Sequence, residues 1–170
     1  PDKKADYDKN KPYYEGRDPR FEKTIAKNGD TKWPNWNETA LETYQGGANA
    51  EPLSGGTPTG YYLKKYCQTS INTTTAKPTT DNHTWIIYRL GEFYLNYAEA
   101  LFKYLGTAYA TNNEFPIPAN EMVSKTRRRT KVNMPKFPAG LDNKLWWEKY
   151  QNERMVELAF EGHRFWDVRR

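Results

Sequence analysis

The stretch NERMVELAFEGHRFWDVRR, residues 152–170, sets Glu153, Glu157 and Glu161 one helical turn apart. Among them stand Arg154, Arg164, Arg169 and Arg170, and one of the chain's two histidines, His163. Such a set is either a reaction centre or a group of ion pairs that seats a helix. On a helical wheel of residues 145–161, Leu145, Val156 and Phe160 share one face, Trp147 and Leu158 a second, and Met155 and Ala159 a third. The helix is therefore expected to be apolar on most sides and largely buried. Glu153, Arg154, Glu157 and Glu161 form one band beside Trp146 and Tyr150. Carboxylates about 6 Å apart and facing protein raise one another's pKa unless cations sit close. The four arginines, with Arg127, Arg128 and Arg129 upstream, offer planar forks suited to carboxylates. A glycosidase pair spans a cleft of about 5–9 Å from separate elements, which adjacent turns of one buried helix do not do. No HExxH motif is present. The expectation is structural ion pairing among Glu153, Arg154, Glu157, Glu161, Arg164 and Arg169, with no catalytic residue and no metal site, because buried charges must be paired.

Helical patterning extends upstream. Ile86, Leu90, Phe93, Tyr97, Leu101 and Leu105 recur at steps of three and four, which predicts an amphipathic helix over 85–105 with Thr84 as N-cap and Gly106 as its stop. Gly91 inside that pattern costs about 1 kcal/mol relative to alanine and points to a close helix contact. A second helix is expected from 119 or 120 to about 132, broken by Pro135, Pro138 and Gly140. A third follows Asp142 as N-cap and runs to about 161, where Gly162 ends it before another turn over 163–170. The first-to-third helix spacing exceeds one tetratricopeptide period, so the array reads as TPR-like.

The N-terminal half is different in character. Residues 1–20 are polar and rich in tyrosine. FEKTIA, residues 21–26, alternates like a short strand, Asn28-Gly29-Asp30 signals a turn, and 61–67 reads as a second short strand. Residues 46–60 and 68–84 are loops of a length that is usually functional or disordered. The expected fold is mostly α: TPR-like helical hairpins with long irregular loops and a few short strands. Residues 1–84 form a loop-rich, ligand-facing segment and 85–170 the helical scaffold. A length of 170 residues suits one domain. Yet only 36% of residues are hydrophobic and mean hydropathy is −1.04, while 15% are aromatic. That balance fits a small core with an aromatic-bearing surface, and a piece of a larger protein.

Aromatic rings on loops are the candidate ligand contacts, since tyrosine and tryptophan offer an apolar face and a polar edge. Trp33 and Trp36, stiffened by Pro34, come first, then Tyr13, Tyr14 and Tyr44 as platforms for the C–H faces of sugars. Asn35, Asn37, Asp30 and Arg17 are placed to bond hydroxyls. The competing role for Trp33 and Trp36 is to pin the loop to the helices.

Other classes are excluded or set aside. The net charge of +5 is modest, and residues 127–131 lack interleaved stacking aromatics, so no nucleic acid is expected. The lone Cys67 allows no disulfide and no cysteine metal knuckle, and is expected to be a small buried residue. No run approaches the roughly 18 apolar residues of a membrane helix, and Pro1 opens no signal-peptide pattern. Asp6-x-Asp8-x-Asn10 opens like a calcium loop, but Lys11 stands where the glycine belongs and Arg17 where the bidentate glutamate belongs. No cofactor is expected, with a looser calcium site as the alternative.

RLGEFYLNYAEALF, residues 89–102, and the 152–170 stretch resemble the two signature helices of the SusD/RagB family. RDPRF, residues 17–21, and TGYYLKKY, residues 59–66, resemble its intervening segments, and VSKTRRRTKVNMP, residues 123–135, its linking helix. The resemblance covers nearly the whole chain and corresponds to a C-terminal-half piece of a longer member. It implies a partial SusD-like fold, with 1–84 and 85–170 both inside one larger domain and the two motifs serving as scaffold. It further implies a non-catalytic, lipid-anchored protein on the outer membrane, facing outward, whose anchor and signal peptide lie outside this chain. The implied partners are an oligosaccharide or polysaccharide, or peptide in some members, and a SusC-like TonB-dependent transporter that receives it in polysaccharide utilisation. The second reading is a TPR-like interaction scaffold contacting the transporter.

Overall fold

A computed structural model of the chain describes residues 16–31, 39–50, 56–72, 76 and 78–169. The chain divides into two compact units, Pro1–Trp85 and Ile86–Arg170.

In the first unit, Arg20 folds back on Asp18. Its backbone N–H and Nε donate to Asp18 Oδ1 at 2.9 Å, and Nη2 donates to Oδ2 at 2.6 Å. This clamp starts a single helical turn, α1 (Phe21–Thr24), which runs into strand β1 (Ile25–Lys27). The strand expected over 21–26 thus begins later, because the Phe21 N–H is drawn to the Asp18 carbonyl at 2.8 Å. β1 pairs antiparallel with β2 (Tyr61–Leu63) in the register Ile25 with Leu63, Ala26 with Tyr62 and Lys27 with Tyr61. Ala26 is fully buried at the centre of this ribbon. β2 also stops short of the expected 67: the Lys64 and Lys65 amides turn to the Thr24 carbonyl, and Tyr66 enters the left-handed region at φ 69°. The expected burial of Cys67 is corrected by the same turn. The thiol is exposed, with Sγ 3.2 Å from the Leu63 carbonyl.

The second unit carries α2 (Leu90–Leu105), α3 (Ala119–Arg128), α4 (Asn143–Glu157) and the short α5 (Arg164–Asp167). α2 packs on α3, and α3 on α4. The core joins Leu95, Ala98, Leu101 and Phe102 of α2 to Ala119 and Val123 of α3 and to Trp146 and Tyr150 of α4. Trp146 is its centre, stacked on Phe102 at 4.7 Å and on Tyr150 at 5.3 Å between ring centroids. Its Nε1–H donates to Asn120 Oδ1 at 2.8 Å, which satisfies the one polar atom of that ring. Asp142 caps α4 as expected, accepting from the Leu145 N–H at 2.8 Å. Gly106 closes α2 at φ 72°, where its N–H returns to the Phe102 carbonyl and its own carbonyl receives Asn143 Nδ2.

Three helix expectations are corrected. α2 starts at Leu90, not 85, and Thr84 is not its cap. Ile86, Ile87 and the aromatic residues around them are weak helix formers, and Arg89 stays extended at φ −141°, ψ 153°. The buried stripe of α2 is Glu92, Leu95, Ala98, Leu101 and Phe102, whereas Leu90 and Phe93 face outward. α3 ends at Arg128, because Arg129 turns extended and Lys131 and Asn133 adopt positive φ. α4 ends at Glu157, and its buried face is not the aliphatic one: Trp146, Tyr150, Glu153, Arg154 and Glu157 are buried, while Leu145, Met155 and Phe160 are exposed. The aromatic rings win the interior because each buries more apolar area than an aliphatic chain, and the charges follow because arginines meet them there.

Candidate functional site

The charged band of α4 is a web of ion pairs. Glu157, whose side chain is fully buried, accepts from Arg89 Nη1 at 2.7 Å and from Arg129 Nη1 at 2.6 Å. Arg89 also forks onto Glu161 with two bonds of 2.6 Å and donates to the Glu157 carbonyl at 2.7 Å. Arg127 holds Glu153 at 2.5 Å and donates Nε to the Pro135 carbonyl. Arg154 donates to both oxygens of Asp167 at 3.0 Å and to Asn96 Oδ1 at 2.7 Å. Burial alone would lower the pKa of Arg89, but its hydrogen bonds to Glu161 and Glu157 override that and push it up. Arg154 is raised in the same way against its burial, by Tyr150 and Asp167. Every α4 carboxylate of the band is thus engaged by a guanidinium, an arrangement that fixes three chain segments and leaves no open acid–base pair there.

Two arginines of the expected set stand elsewhere. Arg169 lays its guanidinium over the Phe165 ring at 3.5 Å and donates to the Phe165 carbonyl. Arg164 lies on the rim of a cavity of 320 Å³ lined by Glu99, Lys103, Trp147, Tyr150, Gln151, Arg154 and Asp167. Lys103 Nζ sits 4.1 Å above the Trp147 ring. Tyr150 points its hydroxyl at Glu99 Oε2 and the Leu95 carbonyl, both at 2.9 Å. Burial, then the Glu99 charge, pushes its pKa well above the usual phenol range.

Arg89 is not among the residues that the sequence offers as partners of these carboxylates. Its one local signal is its place directly before a helix that carries a glycine, Gly91, in its first turn. A Cβ on Gly91 would stand 2.5 Å from Arg89 Nη1 and 3.0 Å from Glu157 Oε1. The close contact expected at Gly91 is therefore with the ion-pair web.

Of the candidate ligand contacts, Trp33, Trp36, Tyr13, Tyr14, Asn35 and Asn37 lie outside the described residues, as do Asp6, Asp8 and Asn10. Tyr44 and Arg17 are exposed. Asp30 binds Lys27 Nζ at 2.6 Å and lies 3.6 Å from Lys64 Nζ, so it braces the β1–β2 ribbon. Among the described residues, no group of three or more His, Cys, Asp or Glu is arranged to hold a metal. No helix among them is long and apolar enough to cross a membrane.

The first unit presents an aromatic stack that sequence reasoning misses, since periodicity places Trp85 in a helix. Trp85 is 72% exposed and lies nearly parallel to Tyr66, with centroids 5.8 Å apart and 21° between planes. His83 meets its edge at 6.1 Å. Gln68 Nε2 donates to the Asn82 carbonyl, and Gln68 Oε1 is buried with no partner among the described residues. Tyr66 supports one face of the indole. Its positive φ, unusual for a bulky side chain, marks the kind of strain that collects at ligand sites.

Fold and site together define a helical scaffold protein, its TPR-like helices locked by buried ion pairs and its exposed aromatic stack carried on loops. The SusD family model matches residues 1–170, and the chain belongs to that family. A SusD-like protein from Bacteroides fragilis, known from its crystal structure, is similar at 29% identity and a TM-score of 0.73. The match covers 92% of this chain and 28% of that one, so the chain spans under a third of that protein's length. Comparison with curated proteins returns no match.

Proposed function

We propose that this chain is part of a non-catalytic glycan-binding component of an outer-membrane nutrient-uptake complex. It faces outward and passes oligosaccharide to a SusC-like TonB-dependent transporter, and it needs no cofactor. A lipid anchor holds it there. Family membership supports the role in general. The observation that carries it within this chain is the Trp85 ring, open on one face and backed by Tyr66 on the other. A flat, half-wet indole suits the C–H face of a pyranose, and neighbouring polar groups suit its hydroxyls. Glu153, Glu157 and Glu161, each taken up by an arginine, support binding without hydrolysis.

One observation favours a second reading, a peptide ligand. The cavity beside Trp147 sets Glu99 and Asp167 against Lys103 and Arg164, a mixed-charge lining suited to a zwitterion. Affinity electrophoresis of the full-length protein through gels loaded with a polysaccharide panel tests the first reading. Retardation by one glycan, relieved by Trp85→Ala, is the expected result. Retardation by none, together with peptide binding that Arg164→Ala weakens, would replace the glycan with a peptide.

A further inference from the structure

Among the described residues of the second unit, Glu92, Glu153 and Glu157 are the buried carboxylates. Two of them are held by arginine, Glu153 by Arg127 and Glu157 by Arg89 and Arg129. Glu92 is not. Among the described residues its cationic partner is His163, whose Nε2 lies 3.6 Å from Oε2, and its carboxylate accepts one side-chain hydrogen bond, from Asn96 Nδ2 at 3.4 Å. Glu92 is 6% exposed, so its surroundings are set by the packing of this chain's own residues.

The contacts around Glu92 close into a ring. Asp167 of α5 accepts from Arg154 of α4 at 3.0 Å, and Arg154 donates to Asn96 Oδ1 on α2 at 2.7 Å. Asn96 donates to Glu92 one turn earlier, and Glu92 faces His163, the residue that enters α5. The ring begins and ends on the same short helix. α5 has four residues, and a single turn does not repay the cost of its own nucleation, so its seat depends on what it is tied to. The charged groups on the neighbouring elements are committed elsewhere: Arg89 to Glu157 and Glu161, Arg154 to Asp167, while Arg164 lines the cavity beside Trp147.

Above about pH 5 every joint of this ring but one keeps its charge state, since carboxylates titrate near 4 and arginine stays protonated throughout. Imidazole takes up its proton near pH 6.5. An imidazolium beside a buried carboxylate is an ion pair. A neutral ring at 3.6 Å is beyond hydrogen-bond reach and leaves Glu92 with Asn96 alone.

We propose that His163 is a proton-operated latch. Charged, it ties the entry of α5 to Glu92 on α2; neutral, it releases that entry. Docking of α5 is tightest below about pH 6 and loosens as pH rises past about 7.5. α5 brings Arg164 and Asp167 to the cavity beside Trp147, so the latch firms that wall in the same sense.

Hydrogen exchange of the full-length protein reads the latch where it acts. The Trp166 and Asp167 amides close on the His163 carbonyl, and the Val168 amide on that of Arg164. Once corrected for the intrinsic pH dependence of exchange, their protection should be on the order of five-fold greater at about pH 5.5 than at about pH 8, the factor that one ion pair supplies, while α3 amides change little. His163→Gln and, separately, Glu92→Gln should each abolish the step, the second with the imidazole untouched, and α3 protection reports that each variant is folded. A flat profile in the unaltered protein would overturn the proposal. So would a step that survives either substitution, or one of equal size in α3, which would be a global change of stability.

Discussion

Arg89 and Glu157 stand 68 residues apart in the chain and 2.7 Å apart in space, joined through Nη1 and Oε1, while Nη2 of the same arginine reaches the Glu157 carbonyl. One guanidinium thus ties the entry of α2 to the end of α4 and, through Glu161, to the turn beyond it. The planar fork is what allows this, since its five donors point in fixed directions. Arg89→Lys retains the charge and loses the geometry. It should cost about 2 kcal/mol in urea denaturation of the full-length protein, as charge-assisted hydrogen bonds disappear. An unchanged midpoint would show that charge alone suffices.

Gly91→Ala reverses the usual rule for helices. Alanine gains about 1 kcal/mol of helix propensity over glycine. Its Cβ, however, would stand 2.5 Å from Arg89 Nη1 and force that arginine off Glu157. Glu157 keeps its bond to Arg129, so the loss is that of the charge-assisted hydrogen bonds from Arg89, about 1.5–3 kcal/mol, and the net result should be destabilisation of about 1 kcal/mol by the same measurement. A stabilised variant would mean that Arg89 finds an equally good position.

Tyr150→Phe should show a pH-dependent cost. At neutral pH the loss of the bonds to Glu99 and Leu95 should cost about 1 kcal/mol. Burial and Glu99 raise the folded-state pKa above the ordinary 10.0, so the folded protein holds this proton more tightly than the unfolded chain. The resulting stability is complete below pH 10.0 and falls away as pH climbs from there toward the folded-state pKa. The variant has no such group, so the gap between it and the wild type should narrow above pH 10.0. Parallel stability curves across the alkaline range would contradict this.

Asn120 and Trp146 should be coupled. Asn120→Ala strands a buried indole N–H, at a cost of about 1–3 kcal/mol. In a Trp146→Phe background that donor is gone and the same substitution should cost markedly less, an effect read by a double-mutant cycle. Additive losses would show that Asn120 acts through its other bond, to the Phe137 carbonyl.

Much of the scaffold is legible in the order of the residues. Local chemistry suffices for the Asp142 cap and the Gly106 stop, because a cap is made by residues within one turn of each other. The same holds for the band Glu153, Arg154, Glu157 and Glu161, whose spacing puts it on one side of any helix. The helix starts are less legible. Leu90 begins α2 because Arg89 must stay extended to reach α4, and the reach of an arginine across 68 residues leaves no mark in a local pattern.

Periodicity, capping and composition, all short-range, were enough to establish that three principal helices follow two short strands. They were enough, too, for the pairing of the α4 charges and for the family motifs that those residues compose. Packing between distant segments chose which side of α2 enters the core and which arginines answer which glutamates. It also left Cys67 in solvent and laid Trp85 on Tyr66. Periodicity tells which residues share a face. When apolar residues occupy more than one side of a helix, the neighbour that packs against it makes the choice, and that neighbour is set by contacts distant in the chain.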